Sequence, residues 1–188
     1  KNKAITMKRI LDIFISVIII FLFLPFGLTI AVILKFTGEN EIFYFQNRIG
    51  KNNKKIKIIK FATMIKNSSN LGAGDITLKD DNRVLPFGKI LRKTKLNEFP
   101  QFLNVFFGSM SIVGPRPLVE NQFNMIPNKY KKEIIKLKPG ITSIGSIIFR
   151  DEEKYLIQGN QNSNDFYRLK IVPYKSEVEA WYSKNQSF

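Results

Sequence analysis

Glu98 and Arg116 are the side chains whose setting points most directly to chemistry. Asn97-Glu98-Phe99-Pro100 opens an apolar helical pattern, so Asn97 is expected as an N-cap with Glu98 in the first turn. Free N–H groups and the positive end of the helix dipole keep a carboxylate ionised there and attract phosphate. Arg116 stands between Pro115 and Pro117 in residues 111–117 (SIVGPRP). Prolines stiffen the backbone on both sides, and the forked guanidinium matches two phosphate oxygens. A carboxylate attacking phosphorus needs both features. The plain alternatives are a Glu98 that stabilises its own helix and an Arg116 that serves a structural ion pair. With no His and no Cys in 188 residues, imidazole- and thiol-based nucleophilic catalysis, Cys/His zinc sites and disulfides are all excluded. Acid–base or nucleophilic work falls to carboxylates, Lys, Tyr, Ser or Thr, and a metal would be a hard cation held by oxygen, Mg²⁺ above all.

These residues need a scaffold, and the pattern sketches one of ordinary single-domain size. Residues 41–46 (EIFYFQ) and 55–64 (KIKIIKFATM) read as strands joined by turn signals, a β-hairpin. Residues 67–75 are a polar, Gly-containing loop, and Pro86-Phe87-Gly88 opens a short helix over 89–93. Leu96, Phe99, Phe102, Leu103, Phe106 and Phe107 recur at helical spacing, with Gly108 at the C-terminal end. That face suits either the core or a lipid interface. Residues 111–117 are expected as a stiff extended loop, 130–137 as a short basic helix, 138–142 as a turn and 145–150 (GSIIFR) as a strand. Asp151-Glu152-Glu153 starts an acidic helix, 160–164 is a loop, and 165–183 is mostly helical.

One segment stands apart. Asp12 and Lys35 bracket 22 uncharged residues, 13–34, in which only Ser16, Pro25, Gly27 and Thr29 are not apolar. At ~1.5 Å per residue a straight helix of that length covers ~33 Å, enough for a bilayer core of ~30 Å. Pro25 predicts a kink or break near its middle. Both flanks are basic, with Lys1, Lys3, Lys8 and Arg9 before and Lys35, Arg48, Lys51, Lys54 and Lys55 after. Basic flanks stay in the cytoplasm, so a helix that enters and returns is favoured over one that spans. The excess of Lys and Arg, 30 against 15 Asp and Glu, gives a net charge of +15 and points to polyanions. Nucleic acid is disfavoured, because the aromatics lie on apolar faces rather than interleaved for base stacking.

Residues 92–101 (RKTKLNEFPQ), Asn104-Val105 and 108–117 (GSMSIVGPRP) resemble the bacterial sugar transferase family, the monotopic phosphoglycosyl transferases. Lys8-Arg9 with Asp12, residues 46–50 (QNRIG), 60–64 (KFATM) and 138–142 (KPGIT) extend the likeness over nearly the whole chain. The resemblance implies an α+β fold: a re-entrant membrane helix over 1–36, broken near Pro25, and a small, mainly helical catalytic domain over 37–188. That domain would contain the β-hairpin and interfacial amphipathic helices, on the cytoplasmic face of the bacterial inner membrane. The implied activity moves a sugar-1-phosphate from a UDP-sugar to polyprenol (undecaprenyl) phosphate, releases UMP and initiates glycoconjugate assembly, with Mg²⁺. Membrane lipids and downstream glycosyltransferases would be its partners. In the family pattern the transfer proceeds in two steps, through a phosphosugar ester on the Asp of an Asp-Glu pair.

The chain departs from that pattern where it matters. Asn97 stands at the position of the nucleophilic Asp, and an amide is a poor nucleophile for phosphorus; Ser109 replaces an Asp, Leu24 a Ser and Ala62 a basic residue. Three routes stay open: Glu98 takes the nucleophile's role, the sugar phosphate is transferred directly, or the chain is an inactive scaffold that holds polyprenol phosphate or partner enzymes. The expected site is thus Glu98, as nucleophile or Mg²⁺ ligand, beside Asn97. Arg116, Lys60 and Arg92 are its expected phosphate contacts, with Arg150 and Asp151 as further candidates.

Overall fold

The structure, a computed structural model, describes residues 2–71, 81–150 and 167–186. Helix α1 (Asn2–Phe36) is charged in its first turns and apolar all round from Ile13 to Leu34, and its stretch Met7–Phe36 is long and apolar enough to cross a membrane. Most of its large side chains, Phe14, Phe21, Phe26 and Leu28 among them, stay exposed. The helix runs on through Pro25, where the sequence predicts two helices with a break between them. A proline removes one N–H from the ladder while the neighbouring turns keep theirs. Hydroxyls bond backwards on either side, Thr29 Oγ1 donating to the Pro25 carbonyl and Ser16 Oγ to the Ile13 carbonyl, each at 2.9 Å.

The expected hairpin is present. Strands β1 (Phe43–Ile49) and β2 (Lys55–Phe61) pair antiparallel with Tyr44 opposite Lys60. β1 reaches three residues beyond the aromatic run, because the turn is confined to residues 50–54. There Gly50 N–H donates to Lys54 O at 2.8 Å, and Asn52 and Asn53 take left-handed φ of 55° and 61°. Helix α2 (Pro86–Lys93) starts on its proline, as expected, and lies so close to Thr63 that only glycine fits at position 88.

The continuous helix expected from Leu96 divides in two. Lys95 is left-handed (φ 62°), residues Leu96–Glu98 form one 3₁₀ turn, and α3 (Gln101–Phe107) follows, closed by Gly108 at φ 87°. Asn97 therefore caps no helix; it is a buried member of the 3₁₀ turn. The apolar face of α3 is not the core side either. Gln101, Asn104 and Val105 are the buried residues, while Phe106 and Phe107 are exposed.

Two further expectations are corrected. Residues expected as loop and turn form a parallel pair, β3 (Ser111–Val113) with β4 (Gly140–Thr142). Gly114 and Gly140 let these backbones touch where any Cβ would collide. Residues 145–148 of the expected strand at 145–150 belong instead to α6 (Ile144–Ile148), which Ser143 caps by accepting the Ser146 N–H at 2.9 Å. That cap overrides the β-branched pair Ile147-Ile148. Between the two strands lie α4 (Glu120–Asn124) and α5 (Asn128–Ile134). A π turn, Tyr167–Ile171, leads into α7 (Val172–Lys184). The expected acidic helix start at 151–153 and the loop at 160–164 lie outside the described residues, as do residues 72–75 of the loop at 67–75, whose first part holds a 3₁₀ turn at Ser68–Asn70.

The core comes in three patches. Phe123, Ile126, Ile134, Val172 and Ala180 join α4, α5 and α7; Ile58, Val105 and Met110 join β2 to α3. Ile30 and Leu34, from the last turns of α1, join Phe61 and Leu91. The first turns of α1 are pinned by polar groups. Asp12 accepts the Ile112 N–H at 3.0 Å and the Ser111 hydroxyl at 2.8 Å; Arg9 donates to the carbonyls of Val105 and Phe106, and Lys8 to that of Val113.

Candidate active site

Glu98 and Lys60 meet where the hairpin crosses the 3₁₀ turn. Lys60 Nζ donates to Glu98 Oε1 at 2.8 Å, and both side chains are largely shielded, at 19% and 28% exposure. Strand register sets the lysine, as β2 is fixed on one side by β1. On its other edge Asn104 imitates a strand: its Oδ1 accepts the Ile59 N–H at 2.9 Å and its Nδ2 donates to the Lys57 carbonyl at 2.8 Å. Ile58 and Val105 pack beneath. The amide of Asn104 thus sets Lys60 against the turn that carries Glu98.

The electrostatics favour an ionised carboxylate. Burial pushes Glu98 up, but the ammonium of Lys60, then Arg116 and Lys95, outweigh it and hold the carboxyl below its ordinary value. Burial lowers Lys60 more than Glu98 raises it, with Arg48 and Arg116 pushing the same way. One carboxylate thus faces several cations, which leaves positive potential for a pyrophosphate. The charge at Glu98 comes from these side chains and not, as the sequence suggests, from a helix N-terminus.

The other expected residues divide. Arg116 is exposed on the loop after β3 and close enough to act on both Lys60 and Glu98. Arg92, on α2, donates to Thr63 Oγ1 at 3.2 Å and feels the charge of Glu98. Asn97 is buried next to Glu98 in the same turn. Arg150 is exposed just past α6, and no ion pair or hydrogen bond among the described residues ties it to this group. Asp151 lies outside the described residues. Sequence reading placed neither Lys95 nor Asn104 in the site. Both sit inside the motif-bearing stretch 92–105, and an Asn at the fourth position of a helix facing a hairpin is the signal that marks Asn104.

Among the described residues no three carboxylates or other ligating side chains gather into a metal cage. The donor set is one carboxylate, Glu98, amid cations. That suits an ion carried chiefly by substrate phosphates with a single protein ligand, the usual habit of Mg²⁺. A cradle of cations around one ionised carboxylate can bind a diphosphate, steady its charge and present an oxygen nucleophile to phosphorus.

A family model described as bacterial sugar transferase matches residues 3–188. The UDP-N-acetylgalactosamine-undecaprenyl-phosphate N-acetylgalactosaminephosphotransferase of Aeromonas hydrophila is 35% identical over 87% of this chain and 39% of its own. The exopolysaccharide production protein ExoY of Sinorhizobium fredii is 35% identical over 79% of this chain and 71% of its own. The UDP-glucose:undecaprenyl-phosphate glucose-1-phosphate transferase of Klebsiella pneumoniae is 40% identical over 74% of this chain and 30% of its own. The chain thus spans well under half the length of two of these relatives.

Proposed function

The chain belongs to the bacterial sugar transferase family, and from that premise we propose that it transfers a sugar-1-phosphate from a UDP-sugar to undecaprenyl phosphate, releases UMP and starts assembly of a glycan on the lipid carrier. The observation that carries this reading is the Lys60–Glu98 pair under Arg116 and Arg92, a carboxylate held ionised inside a cationic cradle.

Glu98 is the nucleophile. An oxygen of its carboxylate attacks the sugar-bearing phosphorus of the donor; the bond from that phosphorus to the bridging oxygen breaks, and UMP leaves with the electron pair. The product on the protein is an acyl phosphate of Glu98 that still carries the sugar. A phosphate oxygen of undecaprenyl phosphate then attacks the same phosphorus, and the Glu98 carboxylate is released. Lys60 orients the carboxylate and keeps it charged. Arg116 and Arg92 bind the diphosphate and offset the charge that builds as UMP departs. Asn97, an amide, forms no ester and is buried within the nucleophile's own turn. Glu98 is the side chain that would hold Mg²⁺ along with the donor's phosphates, where the ion would neutralise charge on the leaving group. A carboxylate has about four lone-pair positions, so contact with the ion and attack on phosphorus are compatible.

Seating follows from α1. Its exposed apolar length calls for lipid, and a single small fold grips both ends. Lys8, Arg9 and Asp12 hold residues 105–113, while Ile30 and Leu34 hold Phe61 and Leu91. A straight span would carry Leu34 ~33 Å from Asp12, to the far side of a ~30 Å bilayer core. Grip at both ends, with Phe23 and Gly27 against Phe99 between them, supports a helix held along one fold that enters and leaves lipid on the same side, with the site at the cytoplasmic face of the inner membrane. UMP release from a panel of UDP-sugars, with Glu98→Gln as control, tests the activity. Release that Glu98→Gln abolishes is expected; no release with any donor would leave the inactive scaffold.

A further inference from the structure

Lys95 has a backbone that does not suit a lysine. Five described residues other than glycine have positive φ, and four of them are Asn40, Asn52, Asn53 and Asn67. The fifth is Lys95, at φ 62°. Asn tolerates the left-handed region because its short side chain bonds locally; a lysine bears the steric cost of its Cβ without that return. Lys95 follows Thr94, the C-cap of α2, at the place where Gly or Asn usually closes a helix. Positive charge at that helix end is already supplied by Arg92 and Lys93. A helix stop therefore does not explain the lysine, and its side chain does.

That side chain stands at the site. The Lys95 carbonyl accepts the Glu98 N–H at 3.1 Å, and the Lys95 N–H donates to the Arg92 carbonyl at 3.2 Å, so one turn ties the carboxylate to the end of α2. The ammonium is exposed and makes no hydrogen bond or ion pair among the described residues, whereas that of Lys60 is bound to Glu98. It acts on Glu98 through space and helps to keep it ionised. On both sides of Lys95 the chain touches α1. Leu91 before it and Leu96 and Phe99 after it join the patch of Ile30 and Leu34, and the Phe99 ring lies 5.2 Å from that of Phe23. Lys35 ends the apolar run directly after Leu34. An unclaimed ammonium thus sits between Glu98 and the end of the lipid-seated helix, where an anion carried by a lipid would arrive.

We propose that Lys95 binds the phosphate of the lipid acceptor, undecaprenyl phosphate, and brings it to the phosphorus held on Glu98. This role rests on the transferase function proposed above. The ammonium holds one oxygen of the acceptor phosphate and offsets the repulsion between two anions. A second oxygen attacks the sugar-bearing phosphorus. The new P–O bond forms as the acyl oxygen–phosphorus bond breaks, and the electron pair returns to the Glu98 carboxylate; no proton has to move.

The test titrates the full chain in detergent with undecaprenyl phosphate, with undecaprenol as the phosphate-free control, and reads binding by native mass spectrometry. Lys95→Gly and Lys95→Asn suit the left-handed backbone and should melt no lower than wild type, so a lost function is not a lost fold. Each is expected to reduce the preference for undecaprenyl phosphate over undecaprenol about tenfold, the effect of one charged hydrogen bond, while Lys95→Arg keeps it. In turnover with a UDP-sugar that gives UMP release, the KM for undecaprenyl phosphate is expected to rise by the same factor, and by more than the KM for the donor. A preference unchanged in both Lys95→Gly and Lys95→Asn, or a rise confined to the KM for the donor, would overturn the role. No UMP release by wild type from any UDP-sugar, with a preference that still depends on Lys95, would overturn the transferase function and leave Lys95 as the phosphate contact of a lipid-binding scaffold.

Discussion

Lys60→Met removes the ammonium from Glu98 while keeping the length of the buried stem. A hydrogen bond to a charged group contributes about 1.5–3 kcal/mol net, which is roughly a 10- to 150-fold change in a rate that depends on it. The bare Coulomb term at 2.8 Å is larger, about 6 kcal/mol at an effective dielectric of 20. Desolvation of both groups offsets most of that, so the smaller range is the expected one. UMP release at saturating donor should fall by that factor. The pH profile should move as well. Glu98 is held below the ordinary carboxylate value, so the reactive form is present above its folded pKa and is lost as pH falls through it. With Lys60 gone, burial is opposed chiefly by Arg116 and Lys95, and the acid limb shifts to higher pH. Lys60→Arg keeps the charge and should leave that limb near its wild-type position. A Lys60→Met protein that releases UMP within about twofold of wild type, with an unmoved acid limb, would refute the reasoning.

Other positions give further outcomes. Asn104→Leu leaves the Ile59 N–H and the Lys57 carbonyl without their partner, which costs about 1–3 kcal/mol for each group. Its melting temperature should drop, and residual activity should fall further than the melting loss explains as Lys60 loses its register. Glu179, buried in α7 and accepting the Gly145 N–H at 3.0 Å, is raised first by burial, against the pull of Ser143, Gly145 and Lys175. A carboxyl raised in the fold stabilises below its unfolded pKa, and that contribution is lost as pH rises through the folded value. Glu179→Gln should therefore flatten the dependence of melting temperature on pH, and a curve parallel to wild type would rule this out. The chain has no Cys, so single cysteines at Lys3 and Lys35 report topology without background. Labelling of both from the cytoplasmic side alone is expected, and labelling from opposite sides would make α1 a span.

Much of the fold was legible because local chemistry and tertiary context agree. The hairpin, the helix that starts at Pro86 and the stop at Gly108 all follow from residues whose backbone preferences are strong. The failures are places where distant contacts decide. Nothing local says that Ser111 will lie beside Gly140; the pair forms because Gly114 and Gly140 allow contact between segments far apart in sequence. Ile147-Ile148 has β preference, and Ser143 overrides it with a cap. Periodicity found the apolar stripe on α3 but not its direction, because the buried side of that helix carries Val105 together with two amides, Gln101 and Asn104, and Asn104 is drawn inward by its bonds to β2. The site followed the same rule. Motif wording placed Glu98, Lys60 and Arg116 in one list, but the 2.8 Å pairing of the first two depends on strand register.

The central claim is that Glu98 carries the sugar phosphate in a chain whose neighbouring position is Asn97. It is tested most directly by quenching the full chain with a donor labelled in its sugar phosphate and mapping the modified peptide. The account predicts a hydroxylamine-labile label on Glu98, absent in Glu98→Gln. A label on any other residue, or UMP release with no labelled peptide at early times, would contradict it.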